Sequence, residues 1–341
     1  MSLIDLAESG RMPDFLLRIG MRRLMKKRLQ EQQSSPQSTE SFLKQLEDQP
    51  IAIDTSEANE QHYEVPTRFF LKVLGPRLKY SSCYWPEGVD TLKDAENAML
   101  DLSCKRAGIL DGMDILELGC GWGSLTLWMA EQFPRSRILA VSNSATQRAH
   151  IMVQAEDRGL TNVEVRTCDM NDFDPEAKFD RIMSIEMFEH MRNPGKLLDR
   201  CADWLHPDGL VFLHVFTTSL SPYLFADAGD QDDWMAKYFF SGGMMPSPDL
   251  LAKASSRFSC DEDWVVNGEH YSKTLEAWLE KQDAGKADIM PLFEKTYGKE
   301  QAEVWFQRWR MFWMASSELF GFGDGTQWPV HHYRLKLSGA S

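Results

Sequence analysis

An α/β fold with a mostly parallel sheet and helices on both faces is what this 341-residue sequence predicts, and three observations carry the prediction. Apolar strands and amphipathic helices alternate from about residue 90. A glycine loop joins the first strand of that series to the helix after it. Polar, acidic and imidazole side chains fall at or near the carboxyl ends of the strands, where ligands sit in such sheets.

In chain order, residues 14–31 set Phe15, Leu16, Ile19, Leu24, Met25 and Leu29 among Arg18, Arg22, Arg23, Lys26, Lys27 and Arg28, the pattern of a basic amphipathic helix. An arm packed on the domain with a solvated basic face is preferred to contact with an anionic membrane surface. Gln30 to Thr39 is rich in Gln and Ser and reads as a linker. The alternation that follows predicts a helix near 91–108, a strand at 113–118, a helix at 123–133 and a strand at 137–141. A helix at 144–158, strands at 162–167 and 180–185, a helix at 195–205 and a strand at 209–216 continue it. Residues 217–257 break the pattern with Pro, Gly, Asp and aromatics and are expected to form a covering lid. Strands at 259–266 and 329–337 complete the sheet. Between them a helical insertion at about 275–325 crowds Trp305, Phe306, Trp309, Phe312 and Trp313 onto one helix, a stripe read as core. The domain plan is an arm and linker over 1–58 and one large domain over 59–341.

With 37 basic and 51 acidic residues the net charge is −14, which argues against general nucleic-acid binding. Cys83, Cys104, Cys120, Cys168, Cys201 and Cys260 include no C-x-x-C pair, so neither a zinc site nor a disulfide framework is expected. A reducing cytoplasm is the expected compartment. No apolar run reaches membrane-spanning length and the N-terminus lacks a signal-peptide core, so no stable membrane insertion is expected and the chain is expected to begin near Met1.

The run Ile115-Leu116-Glu117-Leu118-Gly119-Cys120-Gly121-Trp122-Gly123 ends a strand on an acidic residue and turns through alternate glycines into a helix. Glycine lets the backbone approach a ligand closely. No Lys and Ser/Thr follow in the phosphate-loop spacing, and the third glycine comes two residues after the second where the dinucleotide pattern needs three. The remaining reading, beside a plain turn, is an E-x-G-x-G-x-G loop for S-adenosylmethionine (SAM), with Glu117 serving the cationic ligand by contact or by ordering the loop.

His62-Tyr63-Glu64-Val65-Pro66, Tyr80-Ser81-Ser82-Cys83-Tyr84-Trp85, the glycine loop, Ser142-Asn143-Ser144 with Gln147, Glu186 through Met191, and Trp234 through Pro246 follow one another in an order that resembles cyclopropane fatty acid synthases and their relatives. Within that group the chain is most similar to coclaurine-type amine N-methyltransferases, at Ser184 through Met191 and around Asp232-Asp233-Trp234. The resemblance implies a Rossmann-like methyltransferase with a mostly parallel seven-stranded sheet. It implies that Tyr80 and Ser81 close over SAM, that Gly119, Gly121 and Gly123 line its loop, that Ser142, Asn143 and Gln147 contact its ribose and adenine side, and that Asp169 and Met170 face the adenine. His214, Trp234, Tyr238 and Tyr271 are the expected substrate contacts.

An amine must be neutral before it attacks a methyl group, so the site needs a base. If Glu186 to His190 opens a helix, its spacing brings Glu186, Glu189 and His190 together. In coclaurine-type enzymes the residues matching Glu186 and His190 are assigned that work, with the match to Glu189 assisting. In the lipid enzymes a bound bicarbonate serves instead, held by residues matching Glu189, His214 and Tyr271 and by a cysteine backbone. Here Ser82 stands at that cysteine, and Glu186 replaces a glycine. A carboxylate there intrudes on a bicarbonate site by charge and volume, so a small-molecule amine is the expected acceptor and an unsaturated lipid acyl chain the alternative. A non-catalytic SAM-binding protein is disfavoured by the intact acidic and imidazole set. A homodimer is left open.

Overall fold

Short apolar strands pair in parallel through the middle of the chain because each crossover helix carries the backbone back to the same end of the sheet. The structure, a computed structural model, describes residues 3–53, 67–225, 234–240 and 242–339. His62 through Pro66, the 58/59 boundary, Asp232, Asp233 and Ser241 lie outside the described residues.

The chain opens with helices α1 (Leu3–Glu8), α2 (Asp14–Ser34) and α3 (Thr39–Leu46). Helix α2 buries Leu17 and Met25, whereas Phe15, Leu16, Ile19 and Leu24 are exposed. The expected linker over 30–39 is shorter than its composition suggests. Gln and Glu are good helix formers, so α2 continues to Ser34, and the Ser38 side chain accepts the Ser41 N–H to start α3.

Next come α4 (Thr67–Val73), α5 (Leu92–Ala107), β1 (Asp114–Leu118), α6 (Ser124–Gln132), β2 (Arg137–Ser142), α7 (Ala145–Asp157), β3 (Val163–Thr167) and β4 (Phe179–Ile185). A 3₁₀ turn (Phe188–His190), α8 (Pro194–Trp204) and β5 (Leu205–Phe216) follow. Helix starts obey local chemistry: Thr91 caps α5, Ser144 caps α7, and Asn193 caps α8 with Pro194 behind it. β5 begins four residues before the expected 209. Leu205 pairs with Phe179, and the register then shifts so that Leu210 faces Arg181, a bulge that absorbs Pro207.

The lid contributes β6 (Tyr223–Leu224), α9 (Trp234–Tyr238), β7 (Met244–Met245) and α10 (Leu250–Lys253). Then β8 (Phe258–Val266), the helices α11 (Glu269–Ala284), α12 (Lys286–Tyr297) and α13 (Lys299–Phe320), and β9 (Val330–Leu337) complete the chain. The sheet has seven strands in the order β3-β2-β1-β4-β5-β9-β8. The first five run parallel, and β9 and β8 join antiparallel. The strand order reverses between β1 and β4, and the crevice beyond their carboxyl ends is where such a sheet takes a ligand.

Trp278 of α11 and Trp309 and Trp313 of α13 are buried and form the centre of a core roofing that crevice. Trp313 Nε1 donates to Gln282 Oε1 at 2.6 Å, so the polar tip is paired inside the apolar layer. The arm docks here through ion pairs of Arg18 with Glu276 and Glu318, Arg308 with Glu8, and Arg310 with Asp14.

Gly268 joins β8 to α11, and a Cβ there runs into the carbonyl oxygens of Phe320 and Trp328. Gly268→Ala is therefore expected to lower stability by about 1–3 kcal/mol, the usual cost of forcing a methyl into a filled site. Urea unfolding followed by circular dichroism measures it, and an unchanged midpoint would contradict the tight junction.

Candidate active site

Beyond β1 the backbone takes positive φ at Gly119 (79°), Gly121 (51°) and Gly123 (82°). Each glycine does different work. A Cβ on Gly119 overlaps Met187, one on Gly123 overlaps Ile151 of α7, and one on Gly121 meets only open space. Gly119 and Gly121 line a cavity of about 360 Å³, large enough for a small ligand, and Gly123 does not. Gly123 lets α6 start against Ile151, a packing role where cofactor contact was expected.

The remaining expected cofactor residues, Tyr80, Ser81, Glu117, Ser142, Asn143, Gln147, Asp169 and Met170, all line this cavity. Ser142 Oγ donates to Gln147 Oε1 at 2.7 Å and accepts the Ser144 N–H, which fixes the turn after β2. Asp169 Oδ1 accepts from the Asn171 backbone and side chain, which locks the loop after β3. Glu117 is buried, its Oε2 accepts the Thr126 hydroxyl at 2.5 Å, and burial pushes its carboxyl up to about 8. A backbone cradle open at Gly121, flanked by amide and carboxyl side chains, suits a cationic nucleoside-amino-acid ligand such as SAM.

The other half of the site centres on Glu186, which has φ +48° at the end of β4, a left-handed position rare for a residue with a side chain. Its N–H donates to the His214 carbonyl at 2.7 Å, which holds the backbone there. The carboxylate accepts three bonds: Ser82 N–H (2.8 Å) and His214 Nε2 (3.1 Å) on Oε1, and the Tyr271 hydroxyl (2.5 Å) on Oε2. Burial raises the pKa of this carboxyl, opposed first by the charge of Lys79 and then by the bonds from Tyr271 and Ser82.

The expected helical face of Glu186, Glu189 and His190 does not form. Only a three-residue 3₁₀ turn follows, and the left-handed residue before it turns Glu186 away from its neighbours toward β5 and α11. His190 lines the cavity with its ring stacked on Phe240 at 4.3 Å. Glu189 is fully buried and lies outside the lining; its Oε1 accepts the Phe216 N–H at 2.8 Å. Burial and the nearby Glu186 push it well above the ordinary carboxyl range.

His214 and Tyr271 were expected to touch substrate. His214 is fully buried outside the lining, with its imidazole held well below 6.5 by burial and, less strongly, by Lys79 and Arg106. It is a neutral donor that orients Glu186. Tyr271 lines the cavity, stacks on Phe320 at 4.1 Å, and keeps its proton because burial and the Glu186 charge raise its pKa well above 10.

Trp234 and Tyr238 are likewise moved. Trp234 Nε1 donates to Glu8 at 2.7 Å, and Tyr238 lies under the Arg308 guanidinium with its hydroxyl accepting from it. Neither lines the cavity. They clasp the lid to the arm and α13. The apolar wall comes instead from Phe216, Phe240, Phe312, Trp313, Leu319 and Phe320. Sequence reasoning saw the α13 aromatics only as core, since a pocket wall and a core face share one apolar pattern.

Gly121→Val should weaken SAM binding by at least about tenfold while the far-ultraviolet circular dichroism stays native, because a branched side chain enters the open cradle and resists positive φ. Calorimetry checks it; unchanged affinity would remove the loop from the cofactor site.

Comparison with known proteins agrees with this geometry. A family model described as mycolic acid cyclopropane synthetase matches residues 52–325. An (S)-coclaurine N-methyltransferase of Thalictrum flavum subsp. glaucum is 36% identical over 295 residues, covering 85% of this chain and 81% of that one. A pavine N-methyltransferase of the same plant is 32% identical over 345 residues, covering 98% and 96%. The crystal structure of a coclaurine N-methyltransferase bound to N-methylheliamine and SAH superposes with a TM-score of 0.92 at 35% identity, covering 98% of each chain. With the glycine cradle, the seven-stranded sheet and these relatives in agreement, the chain belongs to the mycolic acid cyclopropane synthetase family and is a SAM-dependent methyltransferase.

Proposed function

We propose that the enzyme methylates the nitrogen of a small-molecule aromatic amine, with Glu186 and His190 handling the substrate proton. One observation carries the reading: Glu186 is a cavity-lining carboxylate that accepts three hydrogen bonds, so of its roughly four acceptor positions one, on Oε2, is left for a substrate N–H. SAM supplies the electrophilic methyl. The chain's own residues draw in the ammonium by charge and by aromatic faces, remove its proton, and exclude water. A relay role for His190 is supported by its ring, which lines the same cavity and stacks on Phe240. The names of the relatives, coclaurine and pavine N-methyltransferases, support an alkaloid-like amine as acceptor.

The lipid reading is disfavoured by the same carboxylate. Ser82 N–H, His214 and Tyr271, the groups matched to a bicarbonate site, all bond to Glu186. An anion added there meets a like charge and no unspent donor among those three. All six cysteines are free, which supports a reducing, cytoplasmic location. Among the described residues no helix is long and apolar enough to cross a membrane.

Incubation with labelled SAM and two acceptor pools, aromatic amines including coclaurine and unsaturated phospholipids, tests the reading by mass spectrometry. Label on an amine supports it, and label on an acyl chain overturns it. Glu186→Gln and His190→Ala should each lower kcat by about 10²-fold or more with SAM affinity nearly unchanged. Because burial raises the Glu186 pKa, the active carboxylate should be lost on acidification at a higher pH than for an ordinary glutamate. Wild-type turnover in both variants would exclude them from the mechanism.

Turnover in carbonate-free buffer should equal that with added bicarbonate. A requirement for bicarbonate would restore the lipid-type chemistry. Glu186→Gly should diminish amine turnover, since it removes the base.

A further inference from the structure

Lys79 is buried, at 3% exposure, on the segment between α4 and α5 that carries Tyr80 and Ser81. The methyl transfer described above does not employ it. Its Nζ donates to Ser81 Oγ at 2.5 Å and to the Ser82 carbonyl at 2.7 Å, while the N–H of the same Ser82 donates to Glu186 Oε1 at 2.8 Å. One side chain thus ties a cavity-lining serine to the segment that holds the base.

An ammonium without water is costly and needs opposite charge. Burial weakens Lys79's hold on its proton, and the carboxylates of Glu186 and Glu96 act against that. Conversely, Lys79 is the strongest influence opposing the upward shift of Glu186, ahead of Tyr271 and Ser82. Titratable groups around Glu186 and Lys79 among the described residues include Cys83 on the same segment, Glu96 of α5 against Lys79, Tyr80 and His190 on the cavity wall, Glu189 from the 3₁₀ turn, His214 of β5 with His332 of β9 and Arg106 of α5 behind it, and Tyr271 of α11. Burial shifts Cys83, Glu189 and Tyr271 upward and His214 and His332 downward, each toward its uncharged form. The hydrogen bonds have the same sense: Lys79 donates and Glu186 accepts.

We propose that Lys79 is a positioning residue for the methyl transfer, whose buried ammonium keeps Glu186 an anion and whose two hydrogen bonds hold the Tyr80–Ser82 segment against the cavity. The inference rests on Glu186 being the base, and its test separates the two. Lys79→Met, Lys79→Arg, Glu186→Gln and the double variant K79M/E186Q are compared in the full-length enzyme. Urea-unfolding midpoints are read without substrate, and kcat is read against pH with the aromatic amine that takes label in the mass-spectrometric assay.

Removing the ammonium leaves a buried carboxylate uncompensated, so K79M should lower the unfolding midpoint, and at least half of that loss should vanish in the E186Q background. In K79M the acid limb of kcat should move up by about one pH unit, the direction expected when a neighbouring positive charge is lost. K79R should leave that limb near the wild-type position. Additive midpoint losses, or an acid limb unmoved in K79M, would overturn the proposal even if E186Q is inactive. Wild-type turnover in E186Q would instead overturn the base assignment, and the stability cycle would still report whether Lys79 and Glu186 are coupled.

Discussion

The rest of this site is organised around one buried carboxylate and the donors brought to it. Glu186 sits on a left-handed residue at the end of β4, and three structural layers are brought to it: Ser82 from the segment before α5, His214 from β5 and Tyr271 from α11. Taking a carboxylate out of water is expensive unless donors replace the lost hydration. The three donors also fix its orientation, leaving an acceptor position directed to the cavity. Around it the acidic and basic groups are sorted by burial. Burial shifts Glu189 and Tyr271 upward and His214 and His332 downward, each toward its uncharged form.

The cavity joins two materials. Its floor is backbone and polar side chains at the carboxyl ends of the strands, with Gly121 open to the ligand and Ser142 and Gln147 locked to each other. Its roof is aromatic and comes from the lid and from α13. A methyl donor with a sulfonium needs the first, and a neutral aromatic amine fits the second. The roof is steadied from outside, where Trp234 and Tyr238 bind Glu8 and Arg308, and Arg310 reaches Asp14. Buried rings supply most of the cohesion there, since partly exposed ion pairs contribute little individually and serve mainly to set the register of the arm.

The donors that bond Glu186 are those that, by the resemblance to the lipid enzymes, would hold a bicarbonate. A carboxylate on the chain and a bound carbonate present similar oxygens to the same donors. Only the covalent one is always present and carries its charge at a fixed place. A buried carboxylate calls for compensating charge nearby, and the role proposed for Lys79, two residues before Ser81 and bonded to Ser81 and Ser82, would supply it.

What the sequence by itself determined was periodic or local: the β/α alternation, the capped helix starts, and the glycine loop. Those features depend on residues a few places apart and on the geometry of single turns. Through its family resemblance it also implied that Glu186, His214 and Tyr271 belong to one site. Tertiary structure alone decided how they meet. The helical spacing of Glu186, Glu189 and His190 was defeated by one left-handed residue, after which partners 28 and 85 positions away replaced partners three and four away. Trp234 was drawn to the arm and Tyr238 to α13, away from the cavity wall, and the α13 stripe served as core and cavity wall at once, because an apolar pattern records that a face is covered but not by what.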